Sequence, residues 1–292
     1  MIPYLLHLFI LLVIYYLLEL GFVISFNYAG LINMAHIAFF ALGAYVYAIL
    51  TTMCHLGFAS SALLAIMSVC LMGWLVSRIT HRFHGDYLAL VTLGFAVMLD
   101  VVLKNANALT NGPRGIPAIP PPVLFQTPIR SLEMYLLFFM CVGIVITLLV
   151  YSLKRFFGVQ PLLALKEDEL LLNTLGYNTE AIKSFILAFS AGLAAIAGVL
   201  YASYISFIDP YTFSMSMLMV IILMAALSGA RPKLYRVWLS AALVIAIPEL
   251  IRYFPLQQQY VGPLQQIIFA MILLALMWRQ AHELKKHNPR TS

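Results

Sequence analysis

Apolar runs of about twenty residues recur along the whole of this 292-residue chain, and short charged segments separate them. A run of that length crosses a hydrocarbon core of about 30 Å as a helix. Lipid offers no partner to peptide N–H and C=O groups, so helices and not open sheets must make the crossings. Side-chain usage agrees: 63% of residues are hydrophobic and 10% charged, whereas a soluble domain carries about 25% charged residues. The reading is an all-α polytopic membrane protein, a bundle of about 8–10 transmembrane helices, with one domain at 1–280 and a basic cytoplasmic tail at 281–292.

Spans are expected at about 5–24, 30–52, 57–77, 87–103, 132–153, 182–207, 212–229, 237–253 and 262–278. With these in place the cations segregate. One side collects Arg78, Arg82, Lys154, Arg155, Lys166, Lys183, Arg231, Lys233, Arg236, Arg279, Lys285, Lys286 and Arg290, which is 13 of the 17 Lys and Arg. The other holds Lys104, Arg114, Arg130 and Arg252. The positive-inside rule makes the first side cytoplasmic and, by counting back, puts the N-terminus outside. The net charge of +6 is therefore juxtamembrane and not a nucleic-acid footprint. Residues 1–20 have no basic n-region or cleavage pattern and read as a retained span. Cys54, Cys70 and Cys141 form no disulfide or metal spacing and read as core residues.

Residues 160–178, QPLLALKEDELLLNTLGYN, stand apart. Pro161 suits the first turn of a helix, and Gly176 suits its C-terminal cap. A single helix over about 160–177 is expected, with Leu165, Leu171, Leu172 and Leu175 on one apolar flank. Lys166, Glu167, Asp168 and Glu169 are consecutive charges that cannot all turn inward. The bland alternative is a connector lying on the bilayer. Surface-bound helices favour Lys and Arg, however, and three acids beside anionic headgroups are unfavourable, so a protein partner explains the segment better.

At this point a resemblance appears. Ala164-Leu165-Lys166-Glu167-Asp168-Glu169 followed by Leu175-Gly176-Tyr177-Asn178 is similar to the coupling loop of permease subunits in the branched-chain amino acid family of ABC transporters. Four more motifs follow the family's order. They are Asn27-Tyr28-Ala29-Gly30 through Gly43-Ala44-Tyr45, then His84-Gly85-Asp86-Tyr87-Leu88-Ala89-Leu90-Val91-Thr92-Leu93, then Leu109-Thr110-Asn111-Gly112-Pro113-Arg114-Gly115-Ile116-Pro117, and Pro248-Glu249-Leu250-Ile251-Arg252. Together they cover roughly residues 20–253, and the proline-rich outer loop resembles the M-type permease. One departure stands out: the family's glycine-rich run after the seventh span is reduced here to Leu227-Ser228-Gly229-Ala230-Arg231-Pro232-Lys233. That departure leaves the cargo and the local helix break open.

The resemblance implies an ABC importer permease fold in the bacterial inner membrane. It implies a second permease subunit as heterodimer partner, two cytoplasmic ABC ATPases and an extracytoplasmic substrate-binding protein. ATP and Mg would sit on the ATPases, and this chain would bind no cofactor and catalyse no reaction. Ala164, Lys166, Glu167, Asp168, Glu169, Leu175 and Gly176 would couple to an ATPase. Asn27, Gly30, Asn33, His36 and Gly43 are candidates for the translocation path, since polar groups among glycines permit a partly unwound span; the equal alternative is that the asparagines and the histidine are buried, hydrogen-bonded structural residues. Gly112, Pro113, Gly115 and Pro117 would form a stiff outer loop or gate.

Other chemistry is weaker. His81, His84 and Asp86 lie in a basic loop with no fourth ligand, and no metal is expected. Asp100 and Lys104, and Glu249 and Arg252, stand at ion-pair spacing on helices. Glu19 has no basic neighbour in sequence. The Met and aromatic residues of 211–224 read as packing. Two rival readings remain: the same machine carrying urea or short amides, and an ion-coupled secondary transporter using Glu19 or Asp100. A membrane enzyme is disfavoured, because no nucleophile–base or paired-carboxylate arrangement appears.

Overall fold

The computed structural model describes residues 2–81, 83, 85–124, 127–157, 160–230, 232–252 and 258–287. Arg82, His84, Arg231 and Arg290 lie outside the described residues, as do the side chains of Arg279, Lys285 and Lys286. Among the described residues nine apolar helices overlap the nine expected spans, and seven of them are long and apolar enough to cross a membrane. They begin with α1 (Ile2–Val23), which continues through a π-helical turn at Ile24–Tyr28, and α3 (Phe58–Thr80). The others are α4 (Asp86–Asn105), α6 (Leu132–Phe157), α9 (Thr179–Ile205), α11 (Leu234–Arg252) and α12 (Gln258–His287). Two more, α2 (His36–Thr52) and α10 (Met215–Ser228), are apolar but short.

At about 1.5 Å per residue, the 17 residues of α2 reach about 25 Å and the 14 of α10 about 21 Å, less than a hydrocarbon core. Irregular backbone completes both. Residues 29–35 lead into α2, so the expected span at 30–52 is corrected to a helix that starts only at His36. Such backbone is tolerated at membrane depth only where protein encloses it, and here it is enclosed. The N–H groups of Gly30 and Leu31 reach the carbonyls of Phe26 and Ser25, Met34 N–H reaches Thr92 Oγ1 at 3.0 Å, and Ala35 N–H reaches Asn33 Oδ1 at 3.1 Å. Before α10, Asp209 caps a 3-10 turn at Pro210–Phe213. Phe213 packs there against Phe40, Tyr45 and Tyr201, so this aromatic stretch is packing, as expected.

The core is α9 wrapped by α1, α2 and α3. Its close contacts rest on small residues. A Cβ on Gly43 would enter the backbone of Ala195, and one on Gly198 would meet the Phe40 carbonyl. Lipid is as apolar as leucine, so association here comes from close packing and polar bonds, not from hydrophobicity.

Outside, α5 (Asn107–Thr110), a 3-10 turn at Gly112–Arg114 and a two-residue antiparallel ladder, β1 (Val123–Leu124) with β2 (Thr127–Pro128), build the loop between α4 and α6. This loop is zipped to the α9–α10 connection by paired bonds between Ile116 and Ile208, and by Ile119 N–H to the Ser206 carbonyl. Gly115 has φ +71, and a side chain there would strike the Ile208 carbonyl.

The backbone of α12 stays helical to His287. Cys54 is exposed in the α2–α3 turn, and Cys141 is exposed on α6, so neither is a core residue; Cys70 is half-buried.

Candidate coupling surface and the buried polar hub

The expected helix over 160–177 is in fact two. α7 (Gln160–Glu167) stops where Asp168 adopts an extended conformation, and α8 (Glu169–Thr174) starts beneath it. Asp168 Oδ1 accepts the Leu171 N–H at 3.0 Å, an N-cap in the middle of the acidic run. Gly176, with φ +87, then turns the chain, and Asn178 caps α9 by accepting from Ala181 N–H at 3.0 Å. Aspartate is a strong N-cap and a poor interior helix former, which is why three acids in a row broke the helix instead of decorating it.

The break redistributes the side chains. Leu165 and Leu172 are buried, while Leu170, Leu171 and Leu175 are 77%, 57% and 66% exposed, with Tyr177 exposed beside them. The expected single apolar flank is therefore split between an inner and an outer face. Glu167, Asp168 and Gly176 are exposed with the outer set, and Ala164 is half-buried.

The remaining charges reach inward. Glu169 binds Lys183 of α9 at 2.5 Å, and that lysine is 5% exposed. Lys166 Nζ donates to the Asn27 carbonyl at 3.1 Å. Gly30, with φ +70, lies so close that a Cβ would sit 2.8 Å from Lys166 Cγ. Two groups that the sequence treated as separate sites, the charged segment and the residues around Asn27, thus meet.

Asn27 itself is a joint. Its Nδ2 donates to the carbonyls of Ala225 and Gly229 at the end of α10, at 3.0 and 2.6 Å. Next to it, the Tyr28 hydroxyl donates to the Pro232 carbonyl at 2.5 Å, and Lys154 Nζ lies 3.9 Å from the Tyr28 ring centroid. Deeper in, His36 Nε2 donates to the Leu18 carbonyl at 2.9 Å, which leaves Nδ1 facing Ser190 Oγ at 3.3 Å. Ser190 donates to the Gly21 carbonyl at 2.9 Å. Asn27, Asn33 and His36 are buried at 3%, 1% and 0% exposure, and Gly43 is buried against α9. In this conformation these four path candidates are interior joints between α1, α2, α9 and α10.

Glu19 is also fully buried and accepts from Ser240 of α11 at 2.6 Å. The Asp100–Lys104 pair (2.7 Å) and the Glu249–Arg252 pair (3.3 Å) are present as expected. In the loop after α3, His81 Nδ1 is 2.6 Å from the Arg78 carbonyl. Among the described residues no three His, Cys, Asp or Glu converge on a metal position.

A cavity of about 360 Å³ opens near Glu249, between α1, α10, α11 and α12. Leu8, Leu11, Val220 and Val244 give it aliphatic walls, while Glu249 and Gln265 supply polar groups. Glu249 is held there by Arg252 and by the Tyr4 hydroxyl. In the loop between α4 and α6, Gly112 and Gly115 are buried with positive φ, and Pro113 and Pro117 are exposed. Lys183 and this cavity were missed from sequence, because a juxtamembrane lysine reads as a topological anchor and the cavity joins residues more than 200 positions apart.

Residues 4–277 match the family described as the branched-chain amino acid transport system permease component. The chain belongs to that family. Among its relatives is the high-affinity branched-chain amino acid transport permease protein LivM of Escherichia coli K12, 28% identical over 290 residues, covering 91% of this chain and 66% of that protein. LivM of Salmonella typhimurium is 29% identical with the same coverage. LivH of Salmonella typhimurium is 27% identical over 213 residues, covering 68% of this chain and 69% of LivH. The longer match to LivM agrees with the M-type resemblance, and the chain spans 66% of the length of those LivM relatives. No solved structure matches the chain. Family membership and seven spanning helices make it a multi-pass protein of the bacterial inner membrane.

Proposed function

We propose that this permease is the translocating M-type subunit of an ATP-driven importer for branched-chain amino acids. It pairs with a second, related permease subunit, receives cargo from an extracytoplasmic binding protein and is driven by two cytoplasmic ATPases, which hold the ATP and Mg. The chain itself is non-catalytic. One observation carries the reading: between α6 and α9, Leu170, Leu171 and Leu175 stand exposed beside Glu167 and Asp168. Three exposed leucines within six residues on a cytoplasmic segment fit a hydrophobic anchor for a groove on a partner.

The two inward bonds supply the transmission. A push on α8 reaches α9 through Glu169–Lys183, and a push on α7 reaches the π turn of α1 through Lys166 and the Asn27 carbonyl. Asn27 passes it to the end of α10. A π turn followed by non-helical backbone is a natural place for such a movement to be absorbed, since its hydrogen bonds are already irregular. The cavity near Glu249 has aliphatic walls with a polar edge, which suits an amino acid with a branched hydrocarbon side chain. The names of the relatives favour this cargo over urea or short amides.

The decisive experiment is Leu171→Glu with Leu175→Glu in cells that hold the partner subunits. The variant should insert normally, lose co-purifying ATPase and lose ATP-dependent leucine uptake. ATPase retained at the wild-type ratio together with wild-type uptake would overturn the reading.

A further inference from the structure

A second cavity, about 380 Å³, lies at the cytoplasmic end between α1, α6, α7 and α9. Ile24, Val150, Ile182, Ile186 and Phe189 give it apolar walls, and Pro161 and Leu162 of α7 close it from below. Among the described residues its one charged lining group is Lys154. That ammonium lies against the Tyr28 ring, and no carboxylate among the described residues pairs with it.

Depth and charge restrict the occupant. From Ala181 to Phe189 along α9 the cavity rises about 12 Å at ~1.5 Å per residue, most of one leaflet's hydrocarbon half of about 15 Å. A neighbouring helix would leave the Lys154 ammonium without a counter-charge unless it carried an acidic group at that depth, which is costly in hydrocarbon. An extended peptide would leave its backbone groups unpaired against these walls. A hydrocarbon chain has no such groups. At the mouth, Lys154 and the adjacent exposed Arg155 sit on the side where anionic headgroups attract basic residues.

We propose that this cavity holds one acyl chain of an anionic phospholipid of the cytoplasmic leaflet, with its phosphate on Lys154. The lipid fills the space between α6 and α9 directly above α7. It therefore supports the coupling segment from the membrane side, and its loss would let α7 collapse into the gap. The binding does not depend on which solute the protein carries.

The test is native mass spectrometry of the full chain, extracted with its assembled partners and exchanged against equimolar phosphatidylglycerol and phosphatidylethanolamine. The wild type should retain one phosphatidylglycerol per chain, roughly fivefold over phosphatidylethanolamine, the discrimination one cation near a headgroup provides. Lys154→Gln should bring that ratio close to one. Ala181→Trp fills the cavity and should abolish retention while the protein stays monodisperse. Equal retention of the two lipids by the wild type would overturn the proposal. So would an unchanged ratio in Lys154→Gln, a variant mild enough to fold even if Ala181→Trp does not. A cysteine introduced at Phe185 that crosslinks to a partner subunit, with no lipid retained, would assign the groove to an interface instead.

Discussion

α9 and α6 are both spans of more than twenty residues and both strongly apolar, yet they occupy opposite situations. In its most apolar stretch α9 has 72% of residues buried, the same share as α1, whereas α6 and α4 have 22% and α12 has 6%. The difference lies in what the apolar residues are. α9 carries Ser190, Ala191, Gly192, Ala194, Ala195, Ala197 and Gly198 in succession around its surface, while α6 is built from Leu, Val, Ile and Phe. Large aliphatic side chains gain nothing by leaving lipid for protein. Small ones let backbones approach, and hydroxyls find carbonyls when they do. In α9 small and hydroxyl-bearing residues place the helix in the core, whereas α1 reaches the same burial with large aliphatic and aromatic side chains because its neighbours pack around it.

The largest effect is expected at Gly43. Gly43→Leu would force a side chain into the Ala195 backbone, a clash beyond the usual overpacking cost of about 1–3 kcal/mol, and should abolish monodisperse protein on size exclusion. Gly94→Leu on α4, where a Cβ meets nothing within 4 Å, should leave the yield unchanged. Equal yields from the two would sink the small-residue account.

Next comes the ion pair between α8 and α9. Glu169→Ala strands the buried Lys183 and should cost about 3–5 kcal/mol, seen as a lowered Tm in detergent. Adding Lys183→Met should recover most of that loss of stability, yet leave transport impaired because the link to α9 is gone. Ser190→Ala is smaller: removing its bond to the Gly21 carbonyl should cost about 0.6–1 kcal/mol. Smallest is Lys104→Ala, whose partner Asp100 is about one-third exposed; a change above about 0.5 kcal/mol would show that the peripheral helices are tied more tightly than their burial implies.

Much of this was readable in one dimension. Each of the nine apolar runs overlaps a helix among the described residues, with the largest differences at the start of α2 and the end of α12, since the length of a crossing and the exclusion of charge from it are local properties. Asp100–Lys104 and Glu249–Arg252 were readable because helical spacing alone brings i, i+4 and i, i+3 together. Less was visible at 160–178. The caps at Pro161 and Gly176 were recognised, but Asp168 interrupts the helix because its carboxylate outcompetes the backbone for Leu171 N–H, a choice that pattern counting does not register.

Membrane residence and the position of the charged segment between spans are legible in the sequence residue by residue. These follow from the transfer cost of each residue into hydrocarbon, a quantity that does not depend on neighbours. Only the tertiary structure decided that α9 is the axis, that α2 begins late after an enclosed irregular stretch, and that Lys166 meets Asn27 while Glu169 meets Lys183. Such choices depend on whether two distant surfaces fit closely enough for backbones to touch and polar groups to find each other. No transfer scale contains that information, because lipid itself is as good a solvent for a leucine as another helix is.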